Sequence, residues 1–173
     1  MRPTFIGIGA QKCASTWLHE ALASHPDIGA SLVKELDFFA HNYECGFAWY
    51  EAQFAAFAGR AAVGEISPSY FHHMEAPARA RAYNSDLRVV VSLRDPIERA
   101  YSNHLHAVKL GWVPADQHSF ECGLKNCPMY LQQSRYATHL ARWLSVFPRD
   151  AIHVLLQEDV ASVPEGELSR LFR

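Results

Sequence analysis

Three groups of residues have the types and spacing for chemistry on an anionic substrate. The first is Lys12 with Ser15 and Thr16, inside the segment GIGAQKCASTW that runs from Gly7 to Trp17. Here an apolar run passes through small residues into a helical pattern. A helix start of this kind attracts anions, because its first amides lack intrahelical acceptors and the helix dipole adds partial positive charge. Lys12 adds a full charge, and Ser15 and Thr16 add hydroxyl donors. The second group is Arg94, which ends the apolar run LRVVVSL, with Ser102 eight positions later. Ser102 is about two turns into a helix whose start is marked by Asp95 at the N-cap, Pro96 at the first position and Glu98 as the partner of a capping box. On that helix Ser102 shares a face with Arg99 and His106. An arginine that directly follows buried strand residues needs a partner or a ligand, since an unpaired charge there is costly. Arg94 and Ser102 together can grip one phosphate from two sides. The third group is Glu35, set between Lys34 and the apolar pair Phe38 and Phe39. That setting would partly desolvate the carboxylate, as suits a general base.

Each group also has a plainer reading. Lys12 can be a solvated lysine on a strand-to-helix turn whose small residues only permit close packing. Asp95, Glu98 and Arg99 can be ordinary capping and surface charges, and Lys34 with Glu35 a solvated pair. The loop after Gly7 lacks the second glycine followed directly by Lys-Ser/Thr of a Walker A motif, which weakens a kinase or ATPase reading.

The elements that must carry these groups are legible from the pattern. Apolar runs at Phe5 to Gly9, Leu87 to Leu93 and Ile152 to Leu156, with a weaker one at Ala62 to Ile66, suit strands buried on both faces. Between them lie helical stripes, one over Thr16 to Ser24 that stops before Pro26, another through Tyr136, His139, Leu140, Trp143, Leu144 and Phe147. Strands alternating with helices predict an α/β fold, P-loop-like and three-layered, with a central parallel sheet flanked by helices. Residues 112 to 129 mix Gly, Pro, Asp and Cys without periodicity and read as a long loop or irregular insert. Pro164 to Arg173 reads as the opening of a helix.

With 173 residues, 49% of them hydrophobic, the chain can build one globular core, and a net charge of -2 gives no global field to hold nucleic acid or an anionic membrane. The apolar stretch after Pro3 is too short for a signal sequence or a membrane span, so a cytoplasmic protein without membrane insertion is expected. The four cysteines show no paired metal-ligand spacing, and Cys122 and Cys127 are either a loop pair or two unrelated thiols. His72-His73 and His104-x-His106 lack a completing carboxylate or cysteine, so no metal is expected. Tyr43, Trp49, Tyr50 and Phe54 can line an acceptor cleft, although aromatic residues at such spacing more often build core.

Taken together, these segments resemble the superfamily of sulfotransferases that use 3'-phosphoadenosine-5'-phosphosulfate (PAPS), and in particular its heparan sulfate branch. Gln11-Lys12-Cys13-Ala14-Ser15-Thr16-Trp17 resembles the family's 5'-phosphosulfate loop, and Arg94 with Ser102 its 3'-phosphate motif. Lys34 to Phe39 resembles a Lys-Glu-x-x-Phe-Phe segment, Gly64 to Phe71 a Glu-Lys-Ser/Thr-Pro-x-Tyr-Phe segment, and Tyr136 to Pro148 the branch's Tyr-x-x-His-Leu-x-x-Trp-Leu-x-x-Phe-Pro helix. The resemblance implies transfer of a sulfuryl group from PAPS to a hydroxyl or amine of a carbohydrate or small-molecule acceptor, releasing 3',5'-adenosine bisphosphate without a metal. It implies that Lys12 stabilises the leaving oxygen, that residues 11 to 17 hold the 5'-phosphate, that Arg94 and Ser102 hold the 3'-phosphate, and that Glu35 is the base. Ala14 replaces the usual loop glycine, and Ile66 stands where the branch often has lysine. The family's C-terminal Lys-Gly-x-x-Arg-like segment is not found, so residues 1–173 are expected to be one sulfotransferase domain cut short. A nucleotide kinase or NTPase, or a non-catalytic nucleotide-binding module, are the alternatives.

Overall fold

A computed structural model describes residues 1–172. Five strands, β1 (Phe5–Gly9), β2 (Ile28–Ala30), β3 (Ala62–Ile66), β4 (Arg88–Leu93) and β5 (Ile152–Leu156), form one sheet in the order β2-β3-β1-β4-β5. Every pairing is parallel. The helices are α1 (Ser15–Ser24), α2 (Gly46–Ala52), α3 (Ala76–Tyr83), α4 (Pro96–Lys109), α5 (Phe120–Asn126), α6 (Met129–Gln133), α7 (Tyr136–Leu144), α8 (Gln157–Ser162) and α9 (Pro164–Leu171). The four expected strands are present. The fifth, β2, is three residues long, too short to leave a periodic signal.

The strand runs are apolar throughout because both faces of the sheet are covered. Ile6 and Ile8 of β1 and Val89 and Val91 of β4 point into the larger cluster, with Phe38, Phe39, Tyr50, Trp143 and Phe147. Phe5 and Val90 point the other way, onto Leu18 and Leu22 of α1 and onto Ile66 and Leu155. The period-two alternation thus divides one apolar run between two cores, and helices close each side to make three layers.

The chain leaves β1 for the far edge at β2, returns through β3, then crosses to the other side of β1 to form β4. The carboxyl ends of β1 and β4 therefore face a point where the winding reverses, the place where open parallel sheets leave a crevice. At that end the β1–β4 register slips between Gly7 and Gly9, and the Ala10 amide donates to the Ser92 carbonyl at 2.6 Å. The first loop is thereby tied to the second strand.

Residues 112 to 129 are not an irregular insert. A short 3-10 turn at Ala115–Gln117 and helix α5 occupy most of it. Ser119 caps α5 by accepting from the Cys122 amide, and Gly123 is needed because a Cβ there would fall 2.4 Å from the His104 ring. Helix α5 is seven residues long and interrupted by that glycine, so its pattern was too brief to read. Cys122 and Cys127 are both free thiols. Among the described residues no helix is long and apolar enough to cross a membrane.

Candidate nucleotide-binding site

The loop after β1 owes its shape to three left-handed residues. Gly9 has φ 121, and a Cβ there would meet the Pro68 carbonyl oxygen at 2.6 Å, so only glycine fits. Lys12 and Ala14 follow at φ 66 and φ 63. Successive turns of this hand curl the backbone into a concave cradle with its amides inward. Ala14 is the N-cap of α1 and offers no side-chain oxygen, so the first amides of α1 are left for whatever enters the cradle. Its αL conformation is one that glycine adopts without the steric cost an alanine Cβ carries.

The second loop is built differently. Asp95 caps α4 by accepting from the amides of Ile97 and Glu98, both at 2.9 Å, with Pro96 in the first turn. The capping box is completed from elsewhere: the Asp95 amide donates to Glu158 of α8 at 2.9 Å, while Glu98 pairs with Arg94 at 3.3 Å. Arg99 is neither a surface charge nor a neighbour of Ser102 in function. It is fully buried and donates to the Ser134 hydroxyl, the Gln133 side-chain oxygen and the Tyr130 carbonyl, pinning α6 against α4.

The two loops open onto one cleft of about 610 Å³, lined by Gln11, Lys12, Ala14, Ser15 and Thr16 from the first and by Arg94, Ser102, Asn103 and His106 from the second. Lys34 and Glu35 close a third side. The Lys34 ammonium donates to the Thr16 hydroxyl at 2.8 Å and lies 3.1 Å from the Glu35 carboxylate. Partial burial lowers the pKa of Lys12 below the ordinary lysine value, Lys34 adds to the lowering, and Glu35 opposes it. Positive charge is thus concentrated at a desolvated point, where an anion gains most from it.

Two of the expected binding residues face elsewhere. Cys13 is fully buried in the larger core, its thiol 3.8 Å from the Tyr136 hydroxyl and pushed up to about 11 by burial. Trp17 packs against the smaller cluster. Only their backbone belongs to the cradle. Phe38 and Phe39 are fully buried, and the Glu35 side chain keeps 43% exposure, so the apolar pair does not enclose it. Tyr50 and Phe54 are core, while Trp49 remains partly exposed. His104 is buried and bonded to the His118 carbonyl, whereas His106 reaches the cleft. Ile66 is buried in the smaller cluster and fills the space over Gly7, where a Cβ would come within 2.7 Å of it.

Sequence reasoning did not assign Lys34, Asn103, His106, Trp112 or Gln157 to the cleft. Lys34 and His106 were visible as polar neighbours of assigned residues, one before Glu35 and one a turn beyond Ser102. Trp112 and Gln157 carry no signal for anion binding: Trp112 sits on the turn that ends α4, its amide donating to the Ala107 carbonyl and its ring against His106, and Gln157 opens α8 after β5.

A parallel sheet with a lysine- and arginine-lined cleft at its winding reversal, beside an uncapped helix, has the form of an anion-binding α/β protein. The sulfotransferase domain family matches residues 2–173, and the chain belongs to that family. It is 34% identical over 175 residues to human heparan sulfate glucosamine 3-O-sulfotransferase 3B1, covering 98% of this chain and 45% of that protein. It is 33% identical to human heparan sulfate glucosamine 3-O-sulfotransferase 6, covering 51% of it. The chain thus spans about half the length of the curated relatives it matches. Among solved structures, a sulfotransferase from Alicyclobacillus acidocaldarius superposes with a TM-score of 0.85 at 28% identity, over 95% of this chain and 76% of that one. A sulfotransferase domain from the curacin biosynthetic pathway shares the fold, with a TM-score of 0.73 at 14% identity.

Proposed function

We propose that this chain carries the donor-binding and catalytic half of a sulfotransferase that moves a sulfuryl group from PAPS to a hydroxyl or amine on a carbohydrate or small-molecule acceptor. The observation that carries the reading is that Lys12, Ser15 and Thr16 from one strand end and Arg94 and Ser102 from the other line a single cleft. Two cationic grips in one cleft match a nucleotide with phosphates at both its 3' and 5' positions. When bound, that nucleotide supplies the transferable sulfuryl group. The cradle amides with Ser15 and Thr16 hold its 5' end, and Arg94 with Ser102 holds its 3'-phosphate.

In group transfer of this kind negative charge grows on the leaving oxygen, so a fixed cation there does most of the work. Lys12 fills that role. The acceptor must lose a proton as it attacks, and Glu35, exposed on the third side of the cleft, is the carboxylate that takes it. Lys34 bridges Thr16 and Glu35 and so fixes the base relative to the donor end. The acceptor itself is open: buried Ile66 presents no charge to a sulfated glycan at a position where lysine is frequent among heparan sulfate relatives.

Thermal shift with 3',5'-adenosine bisphosphate, PAPS, 5'-AMP and ATP-magnesium tests the donor. Each 3'-phosphorylated nucleotide at about one hundred times its Kd is expected to stabilise the chain by roughly 2.7 kcal/mol, with little effect of 5'-AMP. Equal stabilisation by 5'-AMP, or stabilisation by ATP-magnesium alone, would defeat the reading. Glu35→Gln is expected to lower kcat by about 10²- to 10⁴-fold while leaving the affinity for 3',5'-adenosine bisphosphate unchanged.

A further inference from the structure

Behind Glu35 lies a carboxylate that donor binding does not use. Glu65, next to last in β3, is fully buried and accepts hydrogen bonds from three hydroxyls. Tyr50 of α2 donates to Oε1 at 3.3 Å, Tyr70 also donates to Oε1, and Ser67 donates to Oε2 at 2.6 Å. Because the Ser67 hydroxyl gives its hydrogen to Glu65, its oxygen lone pairs are free to accept, and it takes the Asp37 amide at 2.9 Å.

Asp37 is the root of the turn that displays Glu35. Its φ is 50 and that of Glu35 is 61, two left-handed non-glycine residues within three positions. Such a backbone persists only where its surroundings hold it. The Asp37 carbonyl accepts from the amides of Ala40, His41 and Asn42, and its carboxylate accepts from the Ser69 hydroxyl. The bond from Ser67 to the Asp37 amide connects this strained turn to the sheet through Glu65.

We propose that Glu65 is a positioning residue for Glu35: its ionised carboxylate orients the Ser67 hydroxyl, which clamps the Asp37 amide and holds the Glu35 turn at the cleft. The chemistry follows from donor counting. Ionised Glu65 matches three donors with acceptors only. A proton on Oε2 would donate to the Ser67 oxygen, and that hydroxyl's hydrogen would have to turn away from Glu65; the Asp37 amide would then share its acceptor with Glu65, and the charged group that fixes the hydroxyl's orientation would be gone. A proton on Oε1 would leave Tyr50 or Tyr70 without its acceptor. The groups facing Glu65 are Tyr50 from α2, Ser67 and Tyr70 from the turn after β3, and Asp37 from the loop; burial pushes Glu65 up to about 7, with Asp37 adding to the rise and the hydroxyl bonds opposing it. The clamping form therefore prevails above about pH 7 and is lost as pH falls through that value. Asp37 is itself shifted upward by burial, opposed by its bond from Ser69.

The kinetic part of this proposal rests on Glu35 being the base, so the test has two arms. Hydrogen exchange at the Asp37 amide, followed by NMR on the full chain, is expected to quicken at least tenfold in Glu65→Gln and in Ser67→Ala, with β1 and β4 amides unchanged. In transfer assays both variants are expected to lose roughly 10- to 100-fold in kcat with the donor KM unchanged, the scale expected of a base displaced by about 1 Å. The acid limb of the wild-type kcat profile near pH 7 is expected to vanish in Glu65→Gln. If Glu65→Gln does not fold, Ser67→Ala carries both arms. Unaltered Asp37 exchange overturns the proposal, as does a change in donor KM with kcat preserved. A wild-type chain that binds 3',5'-adenosine bisphosphate but transfers nothing would count against the enzymatic reading, and the exchange arm would still decide the clamp.

Discussion

The loops at the ends of β1 and β4 both lead into helices and both face one cleft, yet they meet an anion in opposite ways. The β1 loop works with backbone: Lys12 and Ala14 are left-handed, α1 has no side-chain cap, and its first amides stay available. The β4 loop works with side chains: Asp95 consumes the first amides of α4, leaving Arg94 and Ser102 to reach the cleft. An uncapped helix costs stability and gains an anion site, whereas a capped helix is stable and must borrow its cations. The difference suits the tasks assigned to them. Under the proposed function, charge that changes during reaction would be met by a preorganised cradle and Lys12, and a 3'-phosphate that only anchors would be met by an arginine and a hydroxyl.

Substitutions can break this contrast, starting with the largest effect. Lys12→Ala removes the cation from the cradle and is expected to lower kcat about 10²- to 10³-fold, with a smaller change in nucleotide affinity; steady-state kinetics with isothermal titration separates the two. Arg94→Ala is expected to act on binding instead, costing roughly 1.5–3 kcal/mol toward 3',5'-adenosine bisphosphate and almost nothing toward 5'-AMP. A similar loss for both nucleotides would place the arginine elsewhere on the ligand. Asp95→Ala uncaps α4 and is expected to cost about 1 kcal/mol, lowering Tm by about 2–4 °C, with the donor KM unchanged. Ala14→Gly relieves the left-handed alanine without adding a cap, and is expected to raise stability by about 0.5 kcal/mol in chemical denaturation. The last two together measure what each helix start contributes when no ligand is present.

How much of this was legible depended on sequence distance. The four longer strands, α1, α7 and the cap of α4 were readable because their signals are local: apolar runs, a helical stripe, and an Asp-Pro start. The convergence of Lys12, Ser15, Thr16, Arg94 and Ser102 followed from placing both loops at the carboxyl ends of strands, whereas the place of Glu35 leaned on the family resemblance. What could not be read was which way individual side chains turn within those segments. Cys13 and Trp17 sit in the cradle sequence but point into the two cores, and Arg99, four residues from Asp95, is buried against α6. Helix α5 escaped because seven residues with a central glycine carry too little periodicity.

The sequence by itself determined the alternation of buried strands and helices, the Asp-Pro start of α4, and the residue types that can meet phosphate, since each depends on neighbours within a few positions. Only the tertiary structure decided that Lys34 would bridge Thr16 and Glu35, that Glu158 of α8 would complete the cap of α4, and that Glu65 would stand buried behind the Glu35 turn. The Lys34–Thr16 and Asp95–Glu158 bonds join residues 18 and 63 positions apart, and the place of Glu65 depends on burial. A carboxylate or ammonium is a surface charge in sequence; packing makes Lys34 a bridge and Glu158 a cap by bringing distant partners within reach, and sets Glu65 apart by also removing the water around it.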